Sequence, residues 1–139
     1  MASVTVLEKL SKAADDKTSK ETLLEMLGDL SGFELLMNQL LVAIYVGGQY
    51  IPGTKILQSS QQLKEYIWQG TAGLVVKKGP IAFDPDGMPK GSRVDIGEWV
   101  VFQPGDGKRI QIRGVDCRVF TDENIWMKTK NPEVITHRN

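Results

Sequence analysis

The sequence is poor in the residues that carry most metal and nucleophilic chemistry, with one cysteine, Cys117, and one histidine, His137. A closed structural zinc site needs four cysteine or histidine ligands, so these two residues cannot form one. A serine or cysteine nucleophile would depend on His137 as its base, and this histidine lies in the polar C-terminal tail. We therefore expect a protein that is not an enzyme and that holds neither a metal nor another cofactor.

An excess of charge of one sign is also lacking, because 17 basic side chains balance 17 acidic ones. Such a balance provides no basic field for nucleic acid and no attraction to anionic lipids. No apolar run approaches the roughly 20 residues of a membrane-spanning helix, and the first residues show no signal-peptide core. A single cysteine forms no internal disulfide, which fits synthesis in a reducing cytoplasm. We expect neither a nucleic-acid partner nor a membrane partner.

Residues 1–31 contain no proline, no aromatic residue and only one glycine, unlike the rest of the chain. Apolar residues recur at helical spacing in two series, and Thr18 and Glu21 form a capping box before the second series. The pattern predicts an N-terminal arm of two short amphipathic helices. The leucines proposed to form its partner-binding stripe are Leu7, Leu10, Leu23, Leu24, Leu27 and Leu30.

Helices this short are not stable alone, so a surface must receive the leucine stripe of the arm. Two alternatives remain open at this point. The arm packs on its own domain, or it reaches a neighbouring subunit.

Between about residues 40 and 128 the pattern becomes extended, with roughly seven short apolar segments separated by turn residues. Leu40–Val46 is a continuous apolar run, which predicts a strand covered on both faces. Val94–Gly107 and Lys108–Ile112 predict a strand, a glycine turn and a second strand. Val115–Phe120 alternates in polarity, which predicts a half-buried strand with Cys117 on its apolar face.

This series of short strands without a long helix between them predicts a mainly β domain, a small barrel or sandwich, over residues 32–130. A polar tail, 131–139, follows it. An incompletely closed sheet leaves edges that oligomer formation commonly covers. We therefore expect a homo-oligomer that works by binding.

The loop at residues 47–57 combines glycine and proline with apolar side chains, which is unusual for a solvated turn. The residues proposed to bind a partner through this loop are Tyr50, Ile51, Pro52, Ile56 and Leu57. Two interpretations remain open. The loop folds onto its own sheet, or it presents these side chains to another protein.

Several segments resemble, in order, the strands of GroES-type co-chaperonins. Val94–Phe102 is the most specific of them and is similar to the family's strand with a valine, a glycine, an acid and a hydrophobic run. The other segments that carry the resemblance are Asn38–Val42, Gly53–Leu57, Gln69–Pro80, Val115–Phe120 and Asn124–Met127. The resemblance covers about residues 38–128 and implies a small GroES-like β-barrel, here with an α-helical N-terminal arm.

The resemblance extends to GroES-like proteins of tailed bacteriophages, through Gly79–Asp84 and Gly97–Pro104. It implies that Ile51, Ile56 and Leu57 occupy the position of the aliphatic anchor that docks on a chaperonin. The loop before this anchor has no charged residue until Lys55, however, whereas the mobile loop of the family is usually polar and charged.

Two functions follow as expectations from this resemblance. The first is a capsid decoration or cement protein, a virion component made in the bacterial host cytoplasm, which binds the major capsid protein through its arm and its loop. The second is a phage-encoded co-chaperonin whose ring caps a host chaperonin while capsid protein folds. The helical arm has no counterpart in the ordinary co-chaperonin, which favours the first function.

Overall fold

A computed structural model describes residues 4–15, 18–47, 71–83, 86 and 92–135 of the chain. The helices are α1 (Val4–Asp15) and α2 (Ser19–Leu27), and the strands are β1 (Gln39–Ile44), β2 (Ala72–Lys78), β3 (Trp99–Phe102), β4 (Lys108–Ile112), β5 (Val115–Thr121) and β6 (Ile125–Thr129). Short 3₁₀ turns lie at Asp122–Asn124 and Pro132–Val134. The prediction of a mainly β fold with two short helices is confirmed. None of the helices in the described ranges is long and apolar enough to span a membrane.

The start of α2 differs in one detail from the prediction. Thr18 is its N-cap residue but makes no side-chain capping bond. The Thr18 hydroxyl donates instead to the carbonyl of Ala13 at 3.4 Å. The capping box predicted with Glu21 is therefore not formed.

The six described strands form one antiparallel sheet in the order β4-β5-β1-β2-β3-β6. The predicted strands β3 and β4 and the turn between them at residues 103–107 are present, but three other strands separate β3 from β4 in the sheet. β4 pairs with β5 instead. The short apolar segment Ile81–Phe83 forms a turn, and the apolar segment 63–68 lies outside the described residues.

The sheet is strongly curled. Four strand spacings separate β5 from β6, which is about 19 Å in a flat sheet. Only Asp122–Asn124 connects the two strands, and the four Cα steps across this connection reach at most about 14 Å. The connection is too short for a flat sheet, so the sheet must curl. The rings of Phe102 on β3 and Phe120 on β5 also lie 4.9 Å apart across the curl. β4 and β6 nevertheless stay unpaired with each other in the described part of the chain, so the predicted barrel is not closed.

Two hydrophobic cores lie on opposite sides of the curled sheet. The core inside the curl contains Leu40, Val42, Ile44, Val75, Ala82, Phe83, Val94, Val100, Phe102 and Phe120. The outer core joins the helices to the sheet and contains Leu10, Leu23, Leu27, Leu41, Ala43, Tyr45, Val46, Ala72, Leu74, Val76, Trp99, Ile112, Val115 and Cys117. Alternate residues of β1 enter each core, which confirms that this strand is covered on both faces.

β5 corrects the prediction of a half-buried strand. Val115 and Cys117 face the outer core, as their alternation predicts. Phe120 enters the inner core, and Arg118 is only 1% exposed. Because the curl covers the second face of β5, that face is buried although it carries a charged residue.

Hydrogen bonds fasten both helices to the sheet. The Ser11 hydroxyl on α1 donates to the carbonyl of Gly47 at 3.0 Å, in a buried position. Arg113 lies in the hairpin turn between β4 and β5, and its guanidinium donates to the carbonyls of Leu27 and Asp29 at the end of α2. Of the two alternatives for the arm, the structure shows the one in which it packs on its own domain.

Candidate interaction surface

The loop side chains predicted to bind a partner, Tyr50, Ile51, Pro52, Ile56 and Leu57, lie outside the described residues. Their role stays a prediction. The structure describes the strands on either side of them, since residues 48–70 connect the end of β1 to the start of β2. These two strands are antiparallel neighbours, so the connection leaves and returns at the same end of the sheet.

The arm leucines differ among themselves in exposure. Leu10, Leu23 and Leu27 are buried in the outer core, and Leu30 packs against it. Leu24 is 43% exposed, and the side chain of Leu7 lies outside the described residues. Partner binding by this stripe stays a prediction, and binding through its buried leucines would require the helices to leave the sheet.

One end of the sheet exposes an apolar surface, called here the end patch and formed by Phe33, Leu36, Met37 and Ile81. Leu36 is 65% exposed and Met37 is 68% exposed. The backbone N–H of Ile81 donates to the carbonyl of Met37 at 3.1 Å, which holds the two segments side by side. Large apolar side chains that are clustered and exposed mark a binding surface more often than a solvated one.

Local backbone geometry fixes the end patch in place. Met37 has a φ of 50°, a left-handed conformation that non-glycine residues rarely adopt. A Cβ at Gly79 would collide with the carbonyl oxygen of Met37, so glycine is required there. Asp122 joins the two segments that carry the end patch. Its carboxylate accepts hydrogen bonds from Asn38 Nδ2 at 2.9 Å and from the Phe83 N–H at 2.8 Å.

Strand β6 carries a second exposed apolar surface. Trp126 is 64% exposed and Met127 is 55% exposed. In the described part of the chain β6 pairs only with β3. Val101 pairs with Met127 and Phe102 with Ile125, so Trp126 is the extra residue of a β-bulge. Lys128 is held in place, because its ammonium lies 3.3 Å from the Glu98 carboxylate and donates to the carbonyl of Arg93 at 3.0 Å.

A cavity of about 390 Å³ opens beside this edge. Its lining includes Phe83, Arg93, Trp126, Met127 and Lys128. The Nε of Arg93 is buried and finds no hydrogen-bond partner among the described residues. A buried donor of a charged group without an acceptor is costly.

A separate cleft of about 490 Å³ lies between the start of α2 and the ends of β3 and β6. Tyr45 and Trp99 meet there edge to face, with ring centroids 5.5 Å apart. The charged residues that line the cleft are Lys20, Lys130, Glu98 and Glu133, so the two signs balance. Such a lining favours no charged ligand.

Among the described residues, the two side chains whose pKa departs most from its ordinary value lie inside the fold, away from both exposed surfaces. Burial raises the pKa of the Cys117 thiol from 9.0 to about 12, and the charge of Asp116 adds to this effect. Burial also lowers the pKa of Arg118 to about 10, helped by the charge of Arg109. A nucleophilic thiol needs a lowered pKa, so Cys117 contributes packing. No cluster of acidic, cysteine and histidine residues suited to a metal ion occurs in the described ranges.

Sequence reasoning missed both exposed surfaces. The run Leu35-Leu36-Met37 lies between a helix and a strand, where an apolar cluster is unexpected, and this signal could have revealed the end patch. A scan against protein-family models finds no family that matches the chain, and a search among curated proteins finds no match.

Proposed function

We propose that this chain is a non-enzymatic structural protein of a tailed bacteriophage, a capsid decoration protein with a GroES-like fold that binds the major capsid protein. It is a virion component that is made in the bacterial host cytoplasm. The observation that carries the proposal is the end patch, because a rigid sheet that holds four apolar side chains in water is suited to bind a protein surface.

Two further observations support the GroES-like part of the proposal. The curled antiparallel sheet has the short strands and the small inner core that a GroES-like barrel needs, although its edges stay apart in the described residues. The resembling segments occur in the family's order along β1, β2, β3, β5 and β6. Fold alone does not decide function, so the end patch carries the binding argument.

The alternative is a phage co-chaperonin whose ring, heptameric by analogy, caps a host chaperonin. The long connection between β1 and β2 favours this alternative, because it leaves the sheet at one end and includes the predicted anchor Ile51, Ile56 and Leu57. The two functions differ in where the protein is found. A decoration protein co-purifies with virions in high copy number, whereas a co-chaperonin is absent from virions and changes the ATPase rate of a chaperonin.

The test of the proposed function combines a mass-spectrometric inventory of purified virions with binding to capsids that lack the protein. The double variant Leu36→Ser, Met37→Asn removes the centre of the end patch, and asparagine tolerates the left-handed backbone at residue 37. Val134→Ser is the matched control, because Val134 is 67% exposed and lies outside the patch.

We expect the native protein in the virion, a loss of capsid binding of at least about tenfold for the double variant, and native binding for Val134→Ser. Absence from virions together with ATP-dependent binding to a chaperonin would establish the alternative. Unchanged capsid binding by the double variant would exclude the end patch as the contact surface.

A further inference from the structure

Three local irregularities border the cavity beside β6, and all three residues line it. Phe83 has a φ of 53°, a left-handed conformation that is strained for a bulky residue. Trp126 is the extra residue of the β-bulge in β6. The Nε of Arg93 is buried without a hydrogen-bond partner among the described residues. Backbone strain and β-bulges occur preferentially at binding sites, so this cavity is a candidate site.

The charges around the cavity leave the guanidinium of Arg93 without a counter-charge. The Lys128 ammonium lies 3.3 Å from the Glu98 carboxylate, so its charge is already balanced. Asp122 also lines the cavity, but its carboxylate already accepts hydrogen bonds from within the fold. Arg93 forms no ion pair with another residue that the structure describes. The group that this guanidinium matches best is a carboxylate or a similar anion.

We propose that this cavity binds an acidic side chain of a protein partner. The guanidinium of Arg93 receives the carboxylate, and Trp126 and Met127 form an apolar rim around it. The proposal goes beyond the function proposed above, because the end patch is a different surface and either contact can fail without the other.

The apolar rim is the reason to expect a protein and not a free anion. Trp126 and Met127 are both more than half exposed. Aromatic residues, methionine and arginine are enriched in protein interfaces, and tryptophan and arginine are frequent among the residues that dominate binding energy. A free inorganic anion gains little from an indole or a thioether. A protein that inserts a carboxylate also covers the rim, and the removal of water strengthens the ion pair.

The β-bulge allows side-chain contact without adding a strand. An extra residue interrupts the regular ladder and changes the direction of a side chain, and bulges protect sheet edges from pairing. The Lys128 ammonium donates to the carbonyl of Arg93 at 3.0 Å, which holds the backbone of Arg93 beside β6. The rim and the guanidinium therefore belong to one fixed arrangement.

Arg93 is expected to serve binding without a gain in folding stability, because a buried donor that lacks an acceptor is costly in the unbound chain. Arg93→Met keeps a long unbranched side chain and removes the guanidinium. The urea midpoint of unfolding of this variant should equal or exceed that of the native protein. A clear fall in the midpoint would mean that the guanidinium is satisfied within the chain, and would overturn the proposal.

A nuclear magnetic resonance titration measures binding at the Arg93 Nε–H and at the Trp126 indole N–H. The signal that disappears in Arg93→Met identifies the first group. The probe is a blocked peptide with the sequence leucine–aspartate–leucine, and the matched control peptide carries asparagine, which has a similar shape but no charge. A single charged contact of this kind binds weakly, with a dissociation constant on the order of millimolar.

We expect the aspartate peptide to shift both signals of the native protein and to bind at least about tenfold more tightly than the asparagine peptide. Arg93→Met should lose the same factor, measured at the Trp126 indole. Arg109→Met, which removes an exposed arginine of β4, should bind as the native protein does.

Equal affinities for the two peptides, or native affinity of Arg93→Met for the aspartate peptide, would overturn the proposal. Inorganic phosphate is titrated in parallel as a free anion. If phosphate shifts the same two signals and binds more tightly than the aspartate peptide, the site is one for a free anion, and the proposal of a protein partner is wrong.

Discussion

The two edges of this sheet face the same solvent but expose different chemistry. β4 carries Lys108, Arg109 and Gln111 along its exposed side, with Ile110 between them. β6 exposes Trp126 and Met127 instead. Charged residues on an edge prevent pairing with other chains, and apolar residues permit it. The comparison indicates that charge protects the edge at β4, whereas a β-bulge at Trp126 protects the edge at β6.

The largest expected effect on the free energy of unfolding is the difference between two arginines on the neighbouring strands β4 and β5. Arg109 and Arg118 are cross-strand partners, but Arg109 is exposed and Arg118 is buried. Arg118 lies 5.5 Å from the centre of the Phe102 ring, and its Nη1 donates to the carbonyl of Asp106 at 3.2 Å. Arg118→Ala should lower the free energy of unfolding by about 2–4 kcal/mol, measured by urea denaturation, because it empties a buried side-chain volume and removes the donor to the Asp106 carbonyl.

Arg109→Ala is the control for this prediction. It should change the free energy of unfolding by less than about 0.5 kcal/mol, or raise it slightly, because a like charge opposite Arg118 is removed. Equal losses for the two variants would mean that Arg118 does not anchor the turn before β4, and the account of this edge would be wrong.

An intermediate loss of stability is expected when the contact between the β4–β5 turn and the end of α2 is removed. Arg113 has a φ of 50° in the hairpin turn, and its guanidinium caps the carbonyls at the end of α2. Arg113→Asn keeps a residue that tolerates this backbone and removes only the cap. The free energy of unfolding should fall by about 1–2 kcal/mol, with faster amide hydrogen exchange confined to α2. Unchanged exchange in α2 would show that the helix does not depend on this contact.

The smallest expected effect on stability comes from the thiol of Cys117, which lies on β5 beside β4. Cys117 opposes Ile110 and is buried, and its raised pKa keeps it protonated in the folded protein. The unfolded chain releases this proton near pH 9, so the stabilisation is complete below pH 9 and is lost as the pH rises toward about 12. The native protein should lose stability over this window faster than Cys117→Ala. Parallel pH profiles of the two proteins would contradict the prediction.

Local pattern predicted the elements of this fold well. The apolar run Leu40–Val46 specified a strand with two covered faces, and the helical spacing before residue 31 specified two helices. Both predictions use only residues that lie close together in the sequence. The glycine turn between β3 and β4 did not reveal their partners in the sheet, and β4 pairs with β5 through the two-residue turn at Arg113 and Gly114.

The candidate surfaces were not predictable by the same means. Arg118 falls on the polar side of an alternating strand, and only the curl of the sheet reveals that this side is buried. The end patch brings Met37 and Ile81 together from segments that are far apart in sequence. The β-bulge at Trp126 is seen only once the structure pairs β6 with β3.

Amide hydrogen exchange of the native protein at two concentrations tests the central comparison most directly. We predict that the outward amides of β4 and of β6 exchange rapidly at both concentrations, because charge protects one edge and a β-bulge the other. Protection of either edge that grows with concentration would contradict this comparison.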